Sequence, residues 1–325
     1  MTYNVSNNFV KFILVNNDVV DVEKLKIFLV NYIIINEVEN DNISNDTLTV
    51  VLQDKKYLNM ANKAIMIDGH ISFFNNNELL IYIDRDNPEE IIFIKRLLID
   101  LTNRLFEQKN GTFLHSSSIV ESNNSIVFIG DKGTGKTTNM LNIIEKNKLG
   151  YSSNERTGII HFNNEVMTYG NPARINIRPN TLKCNESLRK KLLECIDVSK
   201  YLEYSKLNLP MNCEERLVVT FDDISKKLDV DIVPFASLYS ICNLIYNPNI
   251  DFKMEKVDYI NMKDAIIRAS IDGVFPQRQI LNEILPIEKI SYDDLLNSEQ
   301  INYYNIYQNN TIDNSDSIIK VLRRD

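Results

Sequence analysis

One stretch constrains the fold of this chain more than any other, Gly130-Asp131-Lys132-Gly133-Thr134-Gly135-Lys136-Thr137. It fits the pattern G-x-x-x-x-G-K-[ST] at every fixed position, which is typical of a phosphate-binding loop. The apolar run 126–129 predicts a strand that leads into the loop, and residues 138–146 predict a helix that leaves it. The plainer interpretation is a glycine-rich turn between a strand and a helix.

A loop of this kind explains which residues would hold a nucleotide. Its glycines let backbone N–H groups face a phosphate, and the helix N-terminus adds the positive end of its dipole. Lys136 is expected to reach the β- and γ-phosphates, and Thr137 to hold Mg²⁺ through its hydroxyl. ATP is the expected nucleotide, and GTP is not excluded, although no base-reading [NT]-K-x-D motif is found. The predicted nucleotide-binding residues are Gly130, Asp131, Lys132, Gly133, Thr134, Gly135, Lys136, Thr137 and Thr138.

Composition excludes several other classes of protein. A chain of 325 residues with 44% hydrophobic residues can bury a large core and form two substructures. The net charge of −8 argues against a nucleic-acid binder, which neutralises phosphates with basic side chains. The four cysteines are far apart and predict free thiols in a reducing compartment. No apolar run is long enough for a membrane span and no secretion signal is apparent, so a cytoplasmic protein is expected.

The pattern along the chain predicts an α/β fold with a mixed sheet and three segments. Residues 1–86 form an N-terminal α/β part, 87–248 the nucleotide-binding core, and 249–325 a C-terminal part of helices and loops. A helix starting at Asn87-Pro88 presents an apolar face and ends at Asn110-Gly111. It is expected to pack on the sheet of the nucleotide-binding core. His70, beside Gly69, is interpreted as a structural histidine.

The strand before the loop has a predicted antiparallel neighbour. Phe113 to Val120 is typical of a strand, and the next polar residues are typical of a tight turn. If Asn123-Asn124 is a two-residue turn, His115 lies opposite Lys132. The hypothesis is that His115 borders the nucleotide phosphates. The alternative is a strand-end histidine bonded to backbone.

Two neighbouring segments stand out, Gly111 to Val120 with its Leu-His-Ser-Ser run, and Val127 to Thr138. Together they resemble the HPr kinase / phosphoenolpyruvate carboxykinase-type P-loop family. The nearest resemblance is to HPr-kinase-like proteins of peptide-tailoring gene clusters, including lasso-peptide precursor kinases. It is specific over about 105–160 and weaker over 170–179 and 218–248. It implies a phosphoenolpyruvate-carboxykinase-like P-loop core and an ATP- and Mg²⁺-dependent kinase.

The resemblance also implies an acidic site after the loop helix. Family members have a strand that ends in Asp-Asp or Asn-Asp, often followed by Arg, where this chain has Asn154, Glu155 and Arg156. No aspartate is present at this point. Glu155 is the expected base or metal-side acid, and Lys136 and His115 complete the predicted catalytic residues. The alternative is a polar turn before the predicted hairpin 158–167.

Further along the chain, Arg174, Asn176 and Arg178 alternate with apolar residues and should share one face of a strand. Two arginines there suit a γ-phosphate or an acidic substrate, although a solvated strand face explains the same pattern. Asp222-Asp223 is interpreted as the start of a helix, because aspartates favour that position.

Three classes of function follow from these residues. The first is a kinase that transfers the γ-phosphoryl group of ATP to a hydroxyl. The resemblance implies that the acceptor is a Ser or Thr of a peptide or small protein. A small hydroxyl metabolite is the second candidate acceptor. Transfer of a nucleotidyl group in place of the γ-phosphoryl group is a further open alternative. The second is a nucleotide-binding regulatory module or NTPase without an acceptor, which the missing aspartate favours. The third is a structural protein with an accidental loop. Homo-oligomerisation is open.

Overall fold

The computed structural model describes residues 1–29, 32–38, 47–58, 64–171, 175–196, 216–274, 276–288, 291–309 and 313–323. It divides into two compact units, Met1–Gly111 with Asp272–Lys289, and Thr112–Ile271 with Ile290–Asp325. This grouping differs from the three predicted segments, because each unit takes in a segment from the C-terminal part. The chain therefore leaves each unit and returns to it.

The first unit is built on a seven-stranded mixed sheet with the order β3-β1-β2-β4-β7-β6-β5. Neighbours β2, β4 and β7 run parallel, and the other pairs are antiparallel. The strands are β1 (Thr2–Ser6), β2 (Lys11–Asn16), β3 (Ile34–Glu37), β4 (Thr49–Asp54), β5 (Ile65–Ile67), β6 (His70–Asn75) and β7 (Glu78–Ile83). The helices are α1 (Val22–Leu29), α2 (Glu90–Gln108) and, in the returning segment, α8 (Ile280–Ile284).

Helix α2 belongs to the first unit, which differs from its predicted packing on the nucleotide-binding sheet. It begins at Glu90, after the predicted start, and the Asn87 side chain accepts from the Glu89 N–H in the preceding turn. Arg278 from the returning segment pairs with the buried Asp100 of α2 and, at 2.8 Å, with Asp68. A buried arginine needs such partners, so this pairing fixes the returning segment to its unit.

His70 has the structural environment that was predicted for it. Its Nε2 lies 2.6 Å from a carboxylate oxygen of Glu90, and its ring stacks on Phe93 with 3.6 Å between centroids. Both partners are on α2, so the histidine joins strand β6 to that helix.

The second unit is built on a ten-stranded mixed sheet. Its main path is β11-β9-β10-β16-β13-β12-β8-β18, and β19 pairs with both β16 and β17. The strands are β8 (Thr112–Leu114), β9 (Ser117–Glu121), β10 (Asn124–Ile129), β11 (Gly150–Asn154), β12 (Thr157–Phe162), β13 (Glu165–Gly170), β16 (Phe235–Tyr246), β17 (Phe252–Val257), β18 (Ser270–Ile271) and β19 (Asn302–Gln308). A separate ladder joins β14 (Ile175–Ile177) to β15 (Leu217–Val219).

Helices complete this unit. They are α3 (Lys136–Asn147), α4 (Pro179–Cys184), α5 (Glu186–Leu192), α6 (Phe221–Leu228), α7 (Tyr259–Ala269), α9 (Tyr292–Leu296) and α10 (Ser315–Leu322). One core cluster joins Val127 and Ile129 of β10 to Met262 and Ile266 of α7. Strand β10 is therefore held from the core side as well as along its ladder.

Strand β19 corrects the prediction that residues 249–325 are helices and loops. It lies between β16 and β17 and runs parallel to β16. Its sequence, NYYNIYQ, mixes polar and aromatic residues, and a strand enclosed by two neighbours was not apparent from it. Tyr303, Tyr304 and Ile306 are nevertheless buried.

The predictions for the cysteines and for membrane-spanning helices can be compared with the structure. Cys195 and Cys242 are free thiols, as predicted, and burial raises the pKa of Cys242 to about 12. Within the described ranges, no helix is both long enough and apolar enough to cross a membrane.

Candidate functional site

The predicted phosphate loop lies between strand β10 and helix α3, in the order that the sequence indicated. Its three glycines have positive φ angles, 136° at Gly130, 96° at Gly133 and 99° at Gly135. A Cβ at Gly130 would lie 2.5 Å from the carbonyl oxygen of Leu244, so both the backbone angle and the space require glycine. Alternating backbone of this kind forms concave anion sites, and α3 starts directly after it, at Lys136.

Hydrogen bonds within the loop hold its backbone and the ammonium group of Lys136 in place. Lys136 Nζ donates to the carbonyl oxygens of Gly130 at 2.6 Å and Asp131 at 3.2 Å. Thr134 Oγ1 donates to Asp131 O at 2.9 Å, and Gln308 Nε2 donates to Thr134 O at 2.9 Å. Burial lowers the pKa of Lys136, and Arg178 adds to this while Glu155 and Asp131 oppose it. An anionic ligand would therefore meet a desolvated positive charge.

Thr137 and Asn154 meet beside the loop. Strand β11 pairs with β9, and this register puts Asn154 opposite Ser117. Asn154 Oδ1 accepts from Thr137 Oγ1 at 2.9 Å and from Ser117 Oγ at 3.0 Å. Its buried Nδ2 has no hydrogen-bond partner among the described residues. Such an unpaired donor is costly, which makes this amide a candidate ligand-binding group.

His115 and Glu155 face each other across the same space. His115 Nδ1 lies 3.2 Å from the carbonyl oxygen of Glu155 and 3.6 Å from its carboxylate Oε2. Burial and the charge of Lys136 lower the pKa of His115, while Glu155 opposes the shift. The contact with a carbonyl oxygen assigns the proton of the neutral ring to Nδ1. Glu155 itself has a left-handed backbone, with φ of 76°.

The position of His115 was predicted from an incorrect register. The tight turn is Ser122-Asn123, whose φ angles are 50° and 68°, so Asn124 pairs with Glu121. The ladder ends at Ser117, and His115 lies outside the strands between β8 and β9. A two-residue shift keeps every side chain on its face, so the apolar pattern could not distinguish the two registers.

Most of the predicted site residues line a cavity of about 250 Å³. Among the predicted residues, its walls include His115, Lys132, Gly133, Gly135, Lys136, Thr137, Thr138, Asn154, Glu155 and Arg178. Gly130, Asp131 and Thr134 line a second cavity beside the loop. Arg156 lines neither cavity, and Arg174 lies outside the described residues.

The first cavity also has walls that the sequence did not indicate. Arg216, Asn142, Thr181 and Gln308 line it. Thr181 Oγ1 lies 2.8 Å from Thr138 Oγ1, which brings helix α4 to the start of α3. No motif surrounds these residues, and they come together only through tertiary pairing.

No protein-family model matches the chain, and no curated protein matches it. Among solved structures, it is similar to the Hpr(Ser) kinase/phosphatase from Coxiella burnetii, with 12% sequence identity and a TM-score of 0.31. That match covers 65% of this chain and 93% of the other.

The oxygen donors beside the loop fit Mg²⁺. They are the Thr137 hydroxyl, the Asn154 amide oxygen and the Glu155 carboxylate. In the described part of the chain, no group of three or more His, Cys, Asp or Glu side chains could hold a metal. Mg²⁺ suits such a sparse set, because it keeps several waters and binds through one or two protein oxygens together with substrate phosphates.

Proposed function

We propose that this protein is an ATP- and Mg²⁺-dependent phosphotransferase that moves the γ-phosphoryl group to a hydroxyl. One observation carries the proposal: Lys136 and Thr137 of the loop line one cavity together with Glu155. The first two groups suit a nucleoside triphosphate, and the third suits the removal of a proton from an acceptor.

The cations of the cavity would bind the triphosphate. Lys136 supplies the central charge, and Arg178 and Arg216 line the same walls. Thr137 would hold Mg²⁺, which supplies neutralising charge to the phosphate oxygens when bound, and Glu155 would stay uncoordinated as the base. Phosphoryl transfer needs mostly positioning and electrostatic stabilisation, and these residues supply both.

The reaction forms one bond and breaks another at phosphorus. The acceptor oxygen attacks the γ-phosphorus, and the bond to the bridging oxygen breaks. The electron pair of that bond leaves with ADP, and the hydroxyl proton passes to Glu155. His115 Nδ1 donates to the Glu155 carbonyl oxygen at 3.2 Å and would fix the backbone that presents this carboxylate. We propose a Ser or Thr hydroxyl of a peptide or small protein as acceptor, with a small hydroxyl metabolite as the runner-up.

A second candidate is a nucleotide-binding module or NTPase without an acceptor. The observation that favours it is the pair Asn154-Glu155, which stands where the resemblance implies Asp-Asp or Asn-Asp and contains no aspartate. An amide oxygen binds Mg²⁺ without neutralising its charge, and it cannot serve as a base.

The test follows phosphate from ATP labelled at the γ-position, with Mg²⁺ and a panel of hydroxyl peptides and metabolites. Wild type should label an acceptor, Lys136→Ala should lose transfer by at least about 10³-fold, and Glu155→Gln should bind nucleotide but not turn over. Lys146→Ala on the same helix, outside both cavities, is the matched control and should transfer normally.

Each other outcome has a definite meaning. Full activity in Lys136→Ala would overturn the site assignment. Label that stays on nucleotide, with binding intact, would favour the regulatory module. Label released only as free phosphate would favour the NTPase.

A further inference from the structure

The second cavity lies against the first half of the phosphate loop and has a volume of about 690 Å³. Its walls come from the loop, from the end of strand β16 and from the last turns of helix α7. Leu244, Ala265 and Ala269 give it a buried apolar part, and Tyr246, 54% exposed, lies at its edge. The size is that of a site for a small molecule or a few residues of a peptide.

The two cavities meet at the loop. His115, Lys132, Gly133 and Arg178 line both. Groups that border both spaces are where a donor in one cavity would meet an acceptor in the other.

The position of Lys136 shows which cavity suits which partner. Its ammonium group, which would neutralise the β- and γ-phosphates, lies against the carbonyl oxygens of Gly130 and Asp131. Both residues are in the wall of the second cavity. Thr138 and Asn142 of helix α3 line the first cavity and not the second. The γ-phosphate end of the nucleotide would therefore point to the second cavity.

The second cavity is positively charged in an acidic protein. Lys132, Arg178 and Arg268 line it against one carboxylate, Asp131, which leaves a net charge of +2 with His115 neutral. The whole chain has a net charge of −8. Arg268 is exposed in the last turn of α7 and makes no hydrogen bond or ion pair with another described residue. Its guanidinium is available for bidentate binding of a carboxylate or phosphate.

We infer that the second cavity is the acceptor site, and that it selects hydroxyl acceptors carrying an anionic group that Arg268 binds. This inference rests on the proposed phosphotransferase activity and names its substrate class. The anionic group is a carboxylate or phosphate, on a peptide or on a small hydroxy acid. Arg268 acts as a specificity-determining residue, since it lies in the acceptor cavity and not in the nucleotide cavity.

Binding tests the inference independently of turnover. The protein is loaded with Mg²⁺ and a non-hydrolysable ATP analogue, and titrated with two matched pairs of probes. One pair is a serine peptide with flanking Asp or Asn, and the other is glycerate or its amide. The charged member of at least one pair should bind about tenfold more tightly, and Arg268→Ala should remove that preference. The pair that shows it identifies the source of the anionic group.

Arg268→Glu should reverse the preference, while Arg96→Ala, an exposed arginine outside both cavities, should leave it unchanged. Analogue affinity should be the same in all three variants. Equal binding of charged and neutral probes by wild type, or a preference that survives in Arg268→Ala, would overturn the inference.

Phosphate transfer to the same probes then separates the two proposals. Preferential binding without any transfer would support the acceptor site and count against the kinase. Transfer at equal kcat/KM to charged and neutral probes would support the kinase and overturn the acceptor site.

Discussion

Glu155 combines a strained backbone with the central carboxylate of the site. Its φ of 76° is unusual for a residue with a side chain, and such a conformation costs on the order of 1–3 kcal/mol. Asn154, the residue before it, is held by Ser117 and Thr137 at the end of β11. The strand thus fixes Asn154, and the left-handed turn directs the next side chain toward Lys136 and His115.

His115 gives a prediction about pH. In the free protein, burial and Lys136 lower the pKa of His115, so the ring stays neutral below its usual range. Bound phosphates would raise this pKa, and the complex would then take up a proton that the free protein does not hold. Linkage therefore requires nucleotide affinity to rise as pH falls. When the pH falls from about 7.5 to 5.5, the nucleotide affinity of wild type should increase by a factor about five times larger than that of His115→Gln.

Calorimetric titration in buffers of different ionisation heat would measure this proton uptake directly. The phosphates of the nucleotide also titrate, but equally for both proteins, so the comparison removes their contribution. Identical pH dependence in wild type and His115→Gln would show that the ring does not sense the phosphates.

Single residues of the site differ in how far the sequence could predict them. Lys136 and Thr137 belong to a local motif, and the structure brings them together by local geometry alone. Arg216 and Gln308 reach the same cavity through pairing of β15 and β19 with distant strands. Long-range strand pairing is not apparent from local patterns in a single sequence. The position of these two residues in the cavity could therefore not be predicted from it.

Among the secondary-structure elements, helix α6 begins with a capping box formed by residues close in sequence. Thr220 Oγ1 accepts from the Asp223 N–H at 3.1 Å, and Asp223 Oδ2 accepts from the Thr220 N–H at 3.2 Å. This capping box confirms that Asp222-Asp223 starts a helix. Neither aspartate lines a cavity beside the loop.

Loss of this cap should destabilise the protein without affecting nucleotide binding. We expect Thr220→Ala to lower the free energy of unfolding by about 1 kcal/mol, because the Asp223 N–H loses its acceptor. Urea denaturation would measure the change, with Thr220→Ser as the matched control that keeps a hydroxyl. An unchanged urea midpoint, or weaker nucleotide binding, would contradict this role.

Elements were predictable where the signal is local. The hairpin of β9 and β10 and the helix after the loop follow from turn residues and apolar spacing. The register of that hairpin was wrong by two residues, because Ser122-Asn123 and Asn123-Asn124 are both good turns. Strand β19 was missed, because its place in the sheet depends on pairing with β16 across 62 residues of sequence, as between Asn243 and Asn305.

At the scale of the whole molecule, the division into two units assigns the candidate site to one of them. Every described residue that lines either cavity falls within Thr112–Ile271 or Ile290–Asp325. The sequence predicted more than one substructure, but each predicted substructure was one continuous segment of the chain, whereas each observed unit contains two segments. Two long-range returns of the chain, at Asp272 and Ile290, could not be read from local composition.

Nucleotide binding should therefore protect one unit. A ligand that binds the native state at about 100 times its Kd stabilises that state by about 2.7 kcal/mol. With Mg²⁺ and a non-hydrolysable ATP analogue, amide hydrogen exchange should slow in β10, α3 and β11, whose residues form the site. Exchange in β1, β2 and β4 of the first unit should not change. Lys136→Ala should abolish the protection, and Lys146→Ala should retain it. Equal protection of both units would mean that they unfold together, and protection confined to the first unit would place the nucleotide away from the phosphate loop.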